Sequence, residues 1–190
     1  MEYIFRNDDV SPSTDLDKLY DYYEVISREF PSSRIISVVS LFGSFNEKGS
    51  VYPDLPLKLK NHEYFYKANR FLSKFSHVIG DIASHGLFHC CHSQLSRDAQ
   101  EMSIISSCYF LNTDKFVAPF NDYDEVTLDI CRLNKIELMN EVYDWRSLDF
   151  NKFDSKHKYW YLHSWRYTVR QLKEKFDASK IGNSSNVGLI

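Results

Sequence analysis

Two hydrophobic periods take turns along this chain, one of a strand and one of a helix. Residues 3–5 are apolar and read as a strand that runs into Asp8 and Asp9. Leu16, Leu19, Tyr23, Ile26 and Phe30 then recur at helical spacing behind Ser13 and Thr14, either of which can cap a helix, and Pro31 closes the pattern. Residues 34–42 are β-branched and nearly continuous, the mark of a strand buried on both faces. Tyr64, Ala68, Phe71 and Phe75 predict a second helix, and residues 77–83 a third strand. A helix with Leu95, Ala99, Met102 and Tyr109 on one side follows, then a short strand at 115–118 and a helix marked by Val126, Ile130 and Leu133. Short apolar pieces at 136–139 and 142–143 precede a strand at 159–162 and a last helix through Val169, Leu172 and Phe176. Residues 43–56 have no clear period and read as loop, and the Gly-, Ser- and Asn-rich stretch at 179–190 is expected to be a loosely held tail.

Strands alternating with helices predict parallel β/α units, hence an α/β fold. The polar residues of most interest fall just after predicted strands: Asp8 and Asp9, His85, Asn121 and Asp122, Asp144 and His163. In parallel β/α folds the loops that follow the strands line the active site.

Composition narrows the class. The 190 residues are 43% apolar and 26% charged, enough for one domain with its own core. A net charge of −3 offers no broad basic field, so a nucleic-acid partner is not expected. No apolar run near the start has signal-peptide length and none approaches a membrane span, so a cytoplasmic protein is expected. Cys90, Cys91, Cys108 and Cys131 suit reduced thiols better than a disulfide framework. Cys90 and Cys91 are adjacent, without the Cys-x-x-Cys spacing of a zinc site, so buried thiols are the expectation there. The aromatic share of 16% suits either core filling or flat platforms on which sugars stack. Oligomeric state leaves no legible trace.

The chemistry lies in two short stretches. Asp8 and Asp9 are adjacent like charges, and a fold that holds them together usually supplies a metal or basic groups. His85 and His89 are spaced i, i+4, which on a helical turn puts both rings on one face. Two imidazoles and one carboxylate suit zinc and leave a coordination position for water, the arrangement of a catalytic site. A solvated acidic turn with two unrelated histidines is the plainer alternative.

The stretches from Phe5 to Val10 (FRNDDV), Ser84 to His89 (SHGLFH), Val117 to Asp122 (VAPFND) and Tyr161 to Trp165 (YLHSW) together resemble the motif series of the polysaccharide deacetylases, carbohydrate esterase family 4, in the same order. The resemblance implies a distorted or incomplete (β/α) barrel over residues 1–178 and one divalent metal, zinc with cobalt and nickel as alternatives. It further implies removal of an N-acetyl group from a sugar or glycan precursor, with surface-polysaccharide synthesis as a setting. On the matching positions, Asp9, His85 and His89 would hold the metal, Asp8 would be the general base and His163 the general acid. Pro119, Phe120, Asn121, Asp144, Trp145 and Trp165 would line the substrate site, with the Phe120 N–H helping to hold the oxyanion. Amide hydrolysis independently needs an activated water, a stabilised oxyanion and a proton for the leaving nitrogen.

The chain departs from the pattern in three places. The family has Arg two residues before the proline matched by Pro119, where Val117 stands here; Arg6, two residues before Asp8 on the same strand, is the candidate replacement. Val10 stands where Gly usually follows the paired acids, and Gly86 where Ser or Thr usually follows the first histidine. Another amide or ester hydrolase using the same site, and a catalytically weak metal- or sugar-binding protein, are the alternative functions.

Overall fold

A computed structural model describes residues 3–43, 62–75, 80–140 and 158–161. Among the described residues six strands alternate with four helices. The strands are β1 (Tyr3–Val10), β2 (Ser33–Val39), β3 (Asp81–Ser84), β4 (Lys115–Phe116), β5 (Glu137–Leu138) and β6 (Lys158–Tyr161). The helices are α1 (Leu16–Glu29), α2 (His62–Phe75), α3 (Arg97–Leu111) and α4 (Glu125–Leu133). All neighbouring strands pair in parallel, in the order β5-β4-β3-β2-β1-β6. Each strand lies beside its predecessor except the last, which returns beside the first, as in a singly wound barrel. The sheet formed by the described residues is nevertheless open, with β5 and β6 at its edges. The α/β class and the parallel sheet agree with the sequence; the described strands do not close into the expected barrel.

Side-chain parity explains the core. Ile35 and Val39 of β2 join Phe5 and the buried faces of α1 and α2, including Leu19, Tyr23, Ala68 and Phe71. Ile36 and Val38 point the other way, into a cluster with Ala83, Val117 and Met139. On the helix side of β4, Phe116 packs with Ile104 and Cys108 of α3 and Ile130 and Cys131 of α4. Burial on both faces is why β2 reads as a continuous apolar run.

Three expectations are corrected. Asp15 caps α1 by accepting the Lys18 N–H, while Thr14 Oγ1 accepts the Ser11 N–H at 2.9 Å, so neither Ser13 nor Thr14 is the cap. In α3 the buried stripe is Ala99, Gln100, Ser103, Ile104, Ser107, Cys108 and Leu111; Tyr109 is 80% exposed and Leu95 precedes the helix. Small residues face the sheet because α3 lies close to β3, where Ser84 Oγ and Ser107 Oγ are 2.6 Å apart. In α4, Thr127, Ile130 and Cys131 are buried and Leu133 is exposed. The loop from residue 44, the piece at 142–143, the helix through Val169, Leu172 and Phe176, and the tail at 179–190 lie outside the described residues.

Candidate metal centre

The end of β1 is built by a bulge. Asn7 pairs with Ser37 and Val10 with Val39, so two residues of β1 oppose one of β2. Asp9, one of the two, has φ 65°, in the left-handed region. Phe5 and Asn7 face α1: the Phe5 ring lies 5.0 Å from that of Phe30, and Asn7 Nδ2 donates to the Tyr23 hydroxyl at 3.0 Å. Arg6 and Asp8 face the opposite side. In a regular strand Val10 would follow them, but the extra residue returns it to the cluster around Phe5. The bulge therefore carries two adjacent carboxylates to the strand end and still buries Val10. The left-handed residue is Asp9, so residue 10 has no need of glycine.

Asp8 is buried and accepts twice from one guanidinium. Arg6 Nε donates to Oδ1 at 3.0 Å and Nη2 to Oδ2 at 3.1 Å. Arg6 is 2% exposed, and its Nη1 donates to the Met139 carbonyl at 3.1 Å, beyond the end of β5. Val117 lies in the apolar cluster nearby. Arg6 thus meets Asp8 on one face of β1, as the i−2 spacing suggested.

His85 and His89 are brought together without a helix. Residues 85–89 form an irregular turn after β3, strapped to the segment after β2 by Leu41 N–H to Gly86 O (3.1 Å), Phe42 N–H to Leu87 O (2.7 Å) and His89 N–H to Gly43 O (3.1 Å). This corrects the helical-turn expectation, yet the ring centroids are 4.9 Å apart. His85 Nδ1 lies 2.7 Å from the Val117 carbonyl oxygen, which only accepts, so Nδ1 carries the hydrogen and Nε2 is aimed at Asp9. His85 Nε2 is 3.5 Å and His89 Nε2 2.8 Å from Asp9 Oδ1. One ligand atom from each residue lies within 4.8 Å of the others, and the group straddles the C-terminal ends of β1 and β3. Two imidazoles and a carboxylate fit a zinc-like divalent ion, without selecting among zinc, cobalt and nickel.

Burial alone would raise the Asp9 carboxyl, but hydrogen bonds from His85 and His89 outweigh it and hold the group far below its usual range. A cation among these three groups would take the place of the protons between them. The shift fixes the sign of a pH effect. A folded pKa below the ordinary 3.8 adds stability that is present above that value and is lost as acid titrates through the folded one. In metal-free protein, Asp9→Asn is expected to flatten the fall in Tm between about pH 4 and about pH 2, measured by circular dichroism.

One wall is strained backbone. In the single turn Pro119–Asn121, Phe120 (φ 59°) and Asn121 (φ 53°) are both left-handed. Phe120 is 60% exposed, and its ring stands edge-on to His89 at 4.4 Å. Buried Asn140 props this wall: its Oδ1 accepts the Ala118 N–H at 2.5 Å, and its Nδ2 donates to Ala118 O and Asn121 Oδ1, each at 2.9 Å. Asp122 accepts from the N–H and hydroxyl of Ser93. Neither Asn121 nor Asp122 caps α4; Asp124 does, in a capping box with Thr127. Asn140 and Ser93 lie outside the predicted periodic segments, so no sequence signal marks them.

The structure brings together Asp9, His85, His89 and Phe120, with Asp8 next to Asp9 on the bulge; Asp144, Trp145, His163 and Trp165 lie outside the described residues. None of the four cysteines is in a disulfide, and burial pushes Cys90 and Cys108 up to about 12 and Cys131 to about 11. Cys91, half-buried, is expected to be the first to react with a thiol reagent under native conditions, and all four after unfolding. Among the described helices none is long and apolar enough to cross a membrane.

Neither a family model nor a curated protein sequence matches this chain. A solved structure of a mutant of BA3943, a CE4 family pseudoenzyme with restored enzymatic activity, aligns over 96% of this chain and 63% of its own with a TM-score of 0.60 and 11% identity. The fold is that of this CE4 family structure. A Streptococcus pyogenes deacetylase, PplD, in complex with acetate, aligns over 70% of this chain and 51% of its own, with a TM-score of 0.42 and 14% identity. The chain therefore spans between half and two thirds of the length of these two structures.

Proposed function

We propose that this protein is a metal-dependent hydrolase that removes an N-acetyl group from a sugar or glycan precursor. The observation that carries the proposal is the convergence of Asp9, His85 and His89 at the strand ends, with a second carboxylate, Asp8, in the next position of the chain. When bound, a divalent ion there supplies an activated water and polarises the acetyl carbonyl. Asp9, His85 and His89 hold it, and the Val117 carbonyl keeps His85 Nε2 pointed inward. Asp8 takes the proton of the attacking water. The Arg6 fork places one N–H on each Asp8 oxygen and holds the carboxylate in its orientation. His163 delivers a proton to the leaving amine, and the Phe120 N–H shares the oxyanion. Pro119, Phe120, Asn121, Asp144, Trp145 and Trp165 make the sugar subsite. The test is acetate release from a panel of N-acetylated sugars by zinc-, cobalt- and nickel-loaded protein. Turnover on any member, lost in Asp8→Asn, supports the reading.

A second reading, a metal- or sugar-binding protein without turnover, is favoured by one fact: the fold neighbour with the better alignment is a pseudoenzyme. Metal and sugar binding with no acetate release across the panel would select it.

A further inference from the structure

The segment that carries both histidine ligands is held from beneath by two buried side chains outside the triad. His92, in the single turn His92–Gln94, and Ser103 of α3 are both fully buried. His92 Nδ1 lies 3.1 Å from the Cys90 carbonyl oxygen and Nε2 3.2 Å from Ser103 Oγ. The Leu87 N–H donates to that same Oγ at 3.1 Å. The chemistry of the groups assigns the protons. The Cys90 carbonyl only accepts, so Nδ1 carries the hydrogen. Burial pushes the His92 ring down to about 4, so near neutral pH it is uncharged and Nε2 accepts. Ser103 therefore gives its single hydroxyl proton to Nε2 and accepts from Leu87 with a lone pair. A directed chain runs from Leu87 through Ser103 and His92 to Cys90, tying both sides of His89 to α3.

Gly86 completes the arrangement. Its φ is +82°, and a Cβ added there would lie 2.9 Å from both His92 Cε1 and Ser103 Oγ. The Ser or Thr expected after the first histidine has no room, because the brace fills that space.

We propose that His92 and Ser103 are positioning residues for the metal centre, holding the turn from His85 to His89 in ligating shape from the space that a side chain at residue 86 would otherwise take. The proposal rests on the metal reading of Asp9, His85 and His89. It is tested by titrating metal-free full-length protein with cobalt(II), following the visible d–d bands, with circular dichroism as a check of fold. His92→Leu keeps the bulk and loses both ring hydrogen bonds; Ser103→Ala removes the hydroxyl with little change of volume. Each is expected to bind cobalt about tenfold or more weakly, with altered bands, while the metal-free variants keep the parent's secondary structure. Gly86→Ala is expected to weaken binding in the same way. Folded variants with the parent's affinity and bands would overturn the proposal and leave the metal reading standing. A parent that binds no cobalt would overturn both. Loss of fold in both metal-free variants would also overturn it, since their role would then be to hold the core.

Discussion

Asp8→Asn is expected to reduce acetate release by about 100- to 10,000-fold, the usual span for loss of a general base, while the metal stays bound. Its amide is isosteric with the carboxylate and adds an N–H donor where Asp8 holds only acceptors. One oxygen can still accept from Arg6, but the other position now meets a guanidinium N–H with an N–H of its own. The three candidate ligands, Asp9, His85 and His89, are untouched. Steady-state kinetics on the reacting sugar, beside the metal content of the same preparation, measures both halves. A drop in turnover with metal retained separates the base from its neighbour in the chain. Parallel loss of metal would mean that the bulge does not divide the two acids as described.

The second large effect is on stability. Arg6→Met removes a buried guanidinium that makes two bonds to Asp8 and one to Met139. Removing one partner of a buried pair typically costs about 3–5 kcal/mol, because the remaining charge stays out of water. That is a large part of the stability of an ordinary domain, about 5–15 kcal/mol. Arg6→Met/Asp8→Leu removes both charges and is expected to regain much of the loss, since the surrounding cluster of Ile36, Val38, Val117 and Met139 is apolar. Urea unfolding of the two variants and the parent gives the comparison. A double variant less stable than Arg6→Met would mean that the pair is not the unit the geometry describes.

Much of this was legible in the sequence, and what was not has physical causes. Period and β-branching located the strands, because burial on both faces forces a continuous run such as 35–39. The series of motifs picked out Asp9, His85 and His89, because residue type alone marks groups able to share a cation, and the structure brings the three together. The bulge at Asp9 left no mark: an aspartate tolerates the left-handed region, and Val10 looks like any strand residue. Arg6 could be suspected from its i−2 spacing, but its bond to Met139 joins residues far apart in the chain. The inward face of α3 escapes a pattern of large apolar residues because serines and small residues predominate on it. No sequence pattern marks the bracing role of His92, because its partners are a backbone carbonyl and a serine on a distant helix. The i, i+4 spacing of His85 and His89 suggested the right proximity through the wrong conformation, since the turn is set by straps to residues 41–43.

The central claim is that Asp9, His85 and His89 hold a divalent ion. Elemental analysis tests it most directly, on the parent and on His85→Ala and Asp9→Ala, each incubated with zinc, cobalt or nickel and freed of excess metal. The account predicts about one ion per chain in the parent and little in either variant, because each removes one of three ligands from a site that needs them all. No retained metal in the parent, or equal metal in all three proteins, would contradict it.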